Sequence, residues 1–193
     1  MTTGSAKGTA LTREIRLNGR YQSRAFKRIS LGILGLLSFA LIGKVNLLAA
    51  QPDLLNRLAP EFVRTDLNGR RVDLKALRGK VVLLNFWASW CGPCQVELPR
   101  FQSWQRTYGS AGLQVLTISM DDSDAPARSI VRKLHLYVPV VMGDDRLGRE
   151  YGGILGLPIT FLINRDGTVA ERVEGGADLV SMEGRVRSLL GKR

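Results

Sequence analysis

The segment from Val81 to Cys94 constrains the fold more than any other part of the chain. Val81-Val82-Leu83-Leu84-Asn85-Phe86 is a nearly continuous apolar run, and Trp87-Ala88-Ser89-Trp90 leads from it into Cys91-Gly92-Pro93-Cys94. Such a run reads as a strand buried on both faces, as found at the centre of a helix-covered sheet. The residues from Pro93 to Tyr108 read as a helix with Gly109 near its end. Pro93 suits the first turn, where a proline's missing N–H has no intrahelical partner to lose. With two residues between them, both sulfurs meet at one helix N-terminus. The unpaired N–H groups and the positive dipole end stabilise a thiolate there, and a lowered pKa makes the first thiol, Cys91, a nucleophile near neutral pH.

The remaining pattern alternates strand and helix. Phe62–Thr65 and Arg70–Leu74 flank the turn signal Asp66-Leu67-Asn68-Gly69 and read as a hairpin. Leu113–Ser119 reads as a second buried strand, Asp124–Leu136 as a helix with Pro126 in its first turn, Pro139–Met142 as a short extended piece and Arg146–Tyr151 as a short helix. Ile159–Asn164 and Thr168–Glu174 flank Arg165-Asp166-Gly167, a hairpin loop with glycine available for positive φ. A last helix follows, capped by Asp178, with Val180, Val186, Leu189 and Leu190 expected to face inward. This order predicts an α/β domain: a central mixed sheet flanked by helices, with an extra N-terminal β-hairpin.

Charge locates the rest. The chain carries 28 Lys+Arg against 17 Asp+Glu, a net charge of +11, which invites a nucleic-acid reading. Residues 1–50 hold eight of those bases and a single acid, Glu14, leaving +4 for residues 51–193. The basic residues precede an uninterrupted apolar run, Ile29–Gly43, and the chain stays mostly apolar to Ala50. A basic flank followed by an apolar stretch is a topogenic signal, with the basic side kept in the cytoplasm. Residues 1–28 are therefore expected to be a basic cytoplasmic tail, 29–50 a single transmembrane anchor or else a signal peptide, 51–59 a linker, and 60–193 the folded domain. The domain then lies on the extracytoplasmic (periplasmic) face of a bacterial cytoplasmic membrane, and no nucleic-acid partner is expected.

Two cysteines and one histidine cannot make a four-ligand structural zinc site within the chain, so neither metal nor cofactor is expected. A structural disulfide across two residues closes too small a loop to stabilise much. Thiol–disulfide exchange is the chemistry that fits: Cys91 attacks a substrate disulfide, and Cys94 then attacks Cys91 to release the reduced substrate. Two alternatives are a peroxiredoxin-type peroxide reductase, which requires a threonine two or three residues before its cysteine where this chain has Ala88-Ser89, and a tethered dithiol chaperone or metal-delivery protein. Asp121, Asp122 and Asp124 lack the spacing of a calcium loop and read as a solvated loop that also caps the following helix.

Residues 60–175 resemble the membrane-tethered thioredoxin-fold oxidoreductases of the TlpA/ResA/CcmG group. The residues that carry the resemblance are Pro60-Glu61-Phe62, Leu67-Asn68-Gly69, the run from Leu77 to Cys94, Glu97-Leu98-Pro99 and the run from Gly156 to Gly167. The resemblance implies a thioredoxin fold and reduction of disulfides in partner proteins, in cytochrome c maturation or related thiol repair. Its electrons would come from a membrane thiol transporter. It implies a cis Pro158 packed against the Cys91–Cys94 loop, with Leu157 beside it shaping the sulfur environment, and an acid at Glu97 that assists proton movement around the dithiol. Trp90, Gly92 and Pro93 complete the expected substrate-facing site, and Trp87 is expected in the core.

Overall fold

The computed structural model describes residues 53–191. The basic tail and the anchor or signal segment lie outside the described residues. Among the described residues, no helix is long and apolar enough to cross a membrane.

Strands β3 (Val81–Trp87) and β4 (Leu113–Ser119) run parallel at the centre, in register from Val81↔Leu113 to Trp87↔Ser119. All seven residues of β3 are buried, as its apolar, β-branched composition requires of a strand covered on both faces. Strand β5 (Val140–Met142) extends the parallel side, while β6 (Ile159–Ile163) and β7 (Val169–Glu174) add an antiparallel hairpin. The sheet order is β5-β4-β3-β6-β7. The expected extra hairpin, β1 (Val63–Thr65) and β2 (Arg71–Asp73), forms a separate two-stranded sheet. It covers the outer edge of β5, where Leu67 N–H donates to the Val140 carbonyl at 2.8 Å and Asp66 bridges to Val141, so that edge is covered by the chain itself. Alternate residues of β3 divide the core. Val82, Leu84 and Phe86 join Phe161, Tyr151 and Leu116 on one face. Val81 and Leu83 join Phe101, Trp104, Met182 and Val186 on the other.

The helices are α1 (Gly92–Tyr108), α2 (Asp124–Lys133), α3 (Asp145–Glu150) and α4 (Leu179–Gly191). Helix α2 stops three residues before the expected Leu136. His135 takes a left-handed φ of 51°, its N–H reaching the Arg132 carbonyl and Leu136 N–H reaching the Val131 carbonyl. That pair of bonds is a Schellman closure built on histidine instead of glycine. In α4, Asp178 accepts from Val180 N–H as expected of a cap, but Val180 is 77% exposed. The inward face begins at Met182, followed by Val186 and Leu189; from Met182 the i, i+4, i+7 spacing gives one stripe that Val180 cannot join.

The segment expected to be a linker is partly built into the domain. Leu55 and Leu58 bridge to Val169 and Thr168, and Ala59 is buried. Its polar appearance hid backbone pairing, with Asn56 N–H donating to Val169 and Ala59 N–H to Gly167.

Candidate active site

The dithiol sits where β3 ends and α1 begins. Cys91 is the N-cap of α1 in an extended conformation (φ −84°, ψ 101°), and Cys94 N–H donates to its sulfur at 3.3 Å. A helix N-terminus offers orphan donors, and here one of them is aimed at the sulfur expected to carry negative charge. The two cysteines are joined as a disulfide with Cα atoms 5.3 Å apart. Their surroundings differ. Cys94 is fully buried against Trp87, Leu98 and Ile130, whereas Cys91 keeps 4% of its surface in contact with solvent. Trp90, just before Cys91, is 72% exposed, and Gly92 and Pro93 are exposed beside it. Trp87 is wholly buried, as expected.

The Leu157–Pro158 peptide bond is cis. In the antiparallel register Ile159 lies opposite Phe86, so Pro158 falls opposite Trp87, at the sheet end that carries the dithiol. Leu157 packs on the cluster containing Cys91, Cys94 and Trp87. A groove of about 190 Å³ adjoins it, lined by Leu155, Leu157, Ile159, Arg172, Glu174 and Gly175. The loop after β7 closes the far side: Gly175 N–H donates to the Pro158 carbonyl, and a Cβ on Gly176 would lie 3.9 Å from that of Pro93.

Glu97 faces inward one turn after Cys94 and is 3% exposed. One carboxylate oxygen accepts from Ala177 N–H at 2.8 Å, and the other is buried without a partner. Burial raises the carboxyl pKa, and the Ala177 hydrogen bond only partly offsets it. A carboxyl held near the proton-bearing form, with one free oxygen, is equipped to exchange a proton within the site.

Asp121 departs from expectation. Rather than a solvated loop residue, it is 8% exposed and accepts from Ser89 N–H at both oxygens (3.1 and 3.0 Å), from Ser89 Oγ (2.6 Å) and from Ser119 Oγ (2.8 Å). It does not cap α2, whose N-cap Ser123 makes no side-chain bond. The β3–β4 register explains its position: Trp87 pairs with Ser119, so two residues further on Ser89 meets Asp121. That shared offset beyond two strand ends was the signal in the sequence.

A sequence model of the AhpC/TSA family matches residues 55–172. The thiol-disulfide oxidoreductase ResA of Bacillus thuringiensis (strain Al Hakam) is 33% identical over 135 residues, covering 70% of this chain and 78% of that protein. The chain belongs to the ResA-type thiol–disulfide oxidoreductases. ResA of Bacillus subtilis (strain 168) is 36% identical over 117 residues, 61% of this chain and 65% of that protein. Among solved structures, a thiol:disulfide interchange protein of the thioredoxin family from Chlorobium tepidum TLS superposes with a TM-score of 0.65 at 28% identity. It covers 72% of this chain and 100% of that one. The expected thioredoxin-like α/β fold, a mixed sheet between helices, is therefore shown. As a ResA-type oxidoreductase the chain exchanges electrons between a dithiol and disulfides in its partners, and Cys91 and Cys94 are its only cysteines.

Proposed function

We propose that this chain is a membrane-anchored, extracytoplasmic reductase of protein disulfides, with Cys91 as nucleophile and Cys94 as resolving thiol. The observation that carries the division of labour is the difference in exposure: Cys91 reaches solvent at the helix cap and Cys94 does not. In the reduced protein the Cys91 thiolate attacks one sulfur of a substrate disulfide. An intermolecular S–S bond forms, and the other substrate sulfur leaves as a thiolate that takes up a proton. Cys94 gives its proton to Glu97 and attacks Cys91, closing the Cys91–Cys94 bond and expelling the second substrate thiolate. Two electrons have passed to the substrate, and a membrane thiol transporter restores the dithiol by the reverse exchange.

Trp90, Gly92 and Pro93 present the exposed rim to the substrate, while Leu157 and Pro158 offer backbone to an extended segment. The basic flank before Ile29–Gly43 supports the anchored topology, and an extracytoplasmic position makes apocytochrome c maturation or related thiol repair the fitting role.

Substrate trapping tests this reading. In growing cells a Cys94→Ser variant is expected to accumulate mixed disulfides through Cys91, abolished by adding Cys91→Ser. The parent dithiol is expected to be mostly reduced, with a potential near the ~−270 mV of a reducing dithiol. Absence of mixed disulfides would remove the exchange mechanism, and a mostly oxidised pair would remove the reductase direction.

A further inference from the structure

We propose that Asp121 is a positioning residue for thiol–disulfide exchange: its carboxylate fixes the Trp87–Cys91 turn so that the Cys91 sulfur stays on the axis of the α1 N-terminus. The reason lies in the turn itself. Between the end of β3 and the start of α1 the chain has no regular pairing, so its polar groups must find partners elsewhere. They do so largely on the β4 side. Met120 N–H donates to the Trp87 carbonyl at 2.7 Å. Asp121 takes the Ser89 N–H and hydroxyl. The Ser89 carbonyl accepts from Gln95 Nε2 at 2.9 Å, and Gln95 in turn accepts from Lys133 Nζ at 3.0 Å. The turn closes with Cys91 N–H donating to the Ala88 carbonyl.

Ser89, two residues before the nucleophile, is thus held at its N–H, hydroxyl and carbonyl. Asp121 supplies two of those three attachments and is itself fixed by Ser119, whose hydroxyl donates to Oδ2 and accepts from the Asp121 N–H. The partners of the Asp121 carboxylate are Ser89 and Ser119 rather than either sulfur. Its effect runs through Ser89 to the backbone of Cys91, and from there to the geometry that lets Cys94 N–H reach the Cys91 sulfur. A donor–acceptor geometry of that kind is lost over fractions of an ångström, and a misplacement of about 1 Å can cost on the order of a hundredfold in rate.

Geometry and charge are separable by experiment on the full chain. Asp121→Glu keeps the charge but displaces the carboxylate by a methylene. Asp121→Asn keeps the shape but puts an amide nitrogen among the donors of Ser89 and Ser119. The readouts are the pH profile of Cys91 alkylation in a Cys94→Ser background, the second-order rate with a small disulfide, and the reduction potential of the Cys91–Cys94 pair. Both variants are expected to slow Cys91 at least tenfold at neutral pH and to displace its alkylation profile toward the ordinary thiol range. The dithiol–disulfide equilibrium is expected to shift by about tenfold, which reads as ~30 mV.

If both variants only lower the unfolding midpoint, leaving rate and potential within twofold of the parent, Asp121 is structural and the proposal fails. It fails equally if Asp121→Asn speeds alkylation while Asp121→Glu behaves as the parent, because the residue then acts by charge. Ser89→Ala removes one hydroxyl from a half-buried side chain and keeps the carboxylate. Should the Asp121 variants not fold, it decides the matter: a fall in Cys91 reactivity beyond twofold supports the clamp, and a smaller change overturns it.

Discussion

Two buried carboxylates flank the dithiol, and their surroundings are opposite. Asp121 accepts four hydrogen bonds from two serines and has no unused oxygen. Glu97 accepts one and keeps an oxygen with no partner. Burial is similar, at 8% and 3% exposure, so desolvation alone does not separate them. The donors supplied by the surrounding chain do. Glu97 is pushed toward its protonated form, the condition that the proton transfer proposed for it requires. A carboxylate saturated with donors instead fixes the backbone that donates to it.

That contrast can be broken most directly by truncation. Asp121→Ala leaves the Ser119 hydroxyl and the Ser89 N–H without their acceptor, and buried donors stranded in this way cost about 1–3 kcal/mol each. Urea unfolding of the oxidised protein is expected to show a loss of about 2–4 kcal/mol. Glu97→Ala strands only the Ala177 N–H and is expected to cost about 1 kcal/mol. Equal losses would mean that the two acids do the same structural work.

The kinetic counterpart is Glu97→Gln, which keeps an acceptor for Ala177. General-base assistance contributes on the order of a hundredfold or more, so closure of the Cys91–Cys94 bond from a mixed disulfide is expected to slow about 10- to 100-fold. Its dependence on the Glu97 titration is expected to vanish. An unchanged rate–pH profile would remove Glu97 from proton transfer.

A smaller effect sharpens the same point in stability. Because burial raises the Glu97 pKa in the folded state, the folded protein holds this proton to higher pH than the unfolded chain does. Stability is then lost as pH climbs from the ordinary glutamate range through the raised folded value, and the loss stays complete above it. Glu97→Gln lacks this dependence. Its unfolding midpoint is expected to gain on the parent as pH rises above the ordinary glutamate range, and a constant difference would contradict the raised pKa. The least effect is expected from Trp90→Ala. At 72% exposure its stability change should stay within about 0.5 kcal/mol, while exchange with protein disulfides slows more than exchange with a small disulfide. Equal slowing would remove Trp90 from partner contact.

Much of this molecule is legible in its residues because its strongest signals are local. The apolar run Val81–Phe86 can only be a covered strand, and the Cys91–Cys94 spacing with Pro93 can only open a helix once that strand is placed. Glu97 is readable for the same reason, one turn along the same helix. Asp121 was not, because its environment depends on the alignment of β3 with β4. Beside Asp122 and Asp124 an acid looks solvated until Ser89 is known to sit across from it. Val180 was misplaced because α4 has two candidate apolar stripes, and only contact with Val81 and Leu83 chooses the one through Met182. The 53–59 segment pairs through its backbone, which side-chain composition does not record.

The strap of residues 54–59 has a mechanical consequence. It bonds to Thr168 and Val169, at the end of β7 that pairs with Ile163, and Ile163 pairs with Val82 at the start of β3. The chain therefore enters the domain at one pole of the sheet, while the sulfurs lie past Trp87 at the other, about 20 Å away at the rise of an extended strand. A load carried by the strap therefore enters the sheet at the pole away from the dithiol, and it reaches the Trp87–Cys91 turn only through the length of β3.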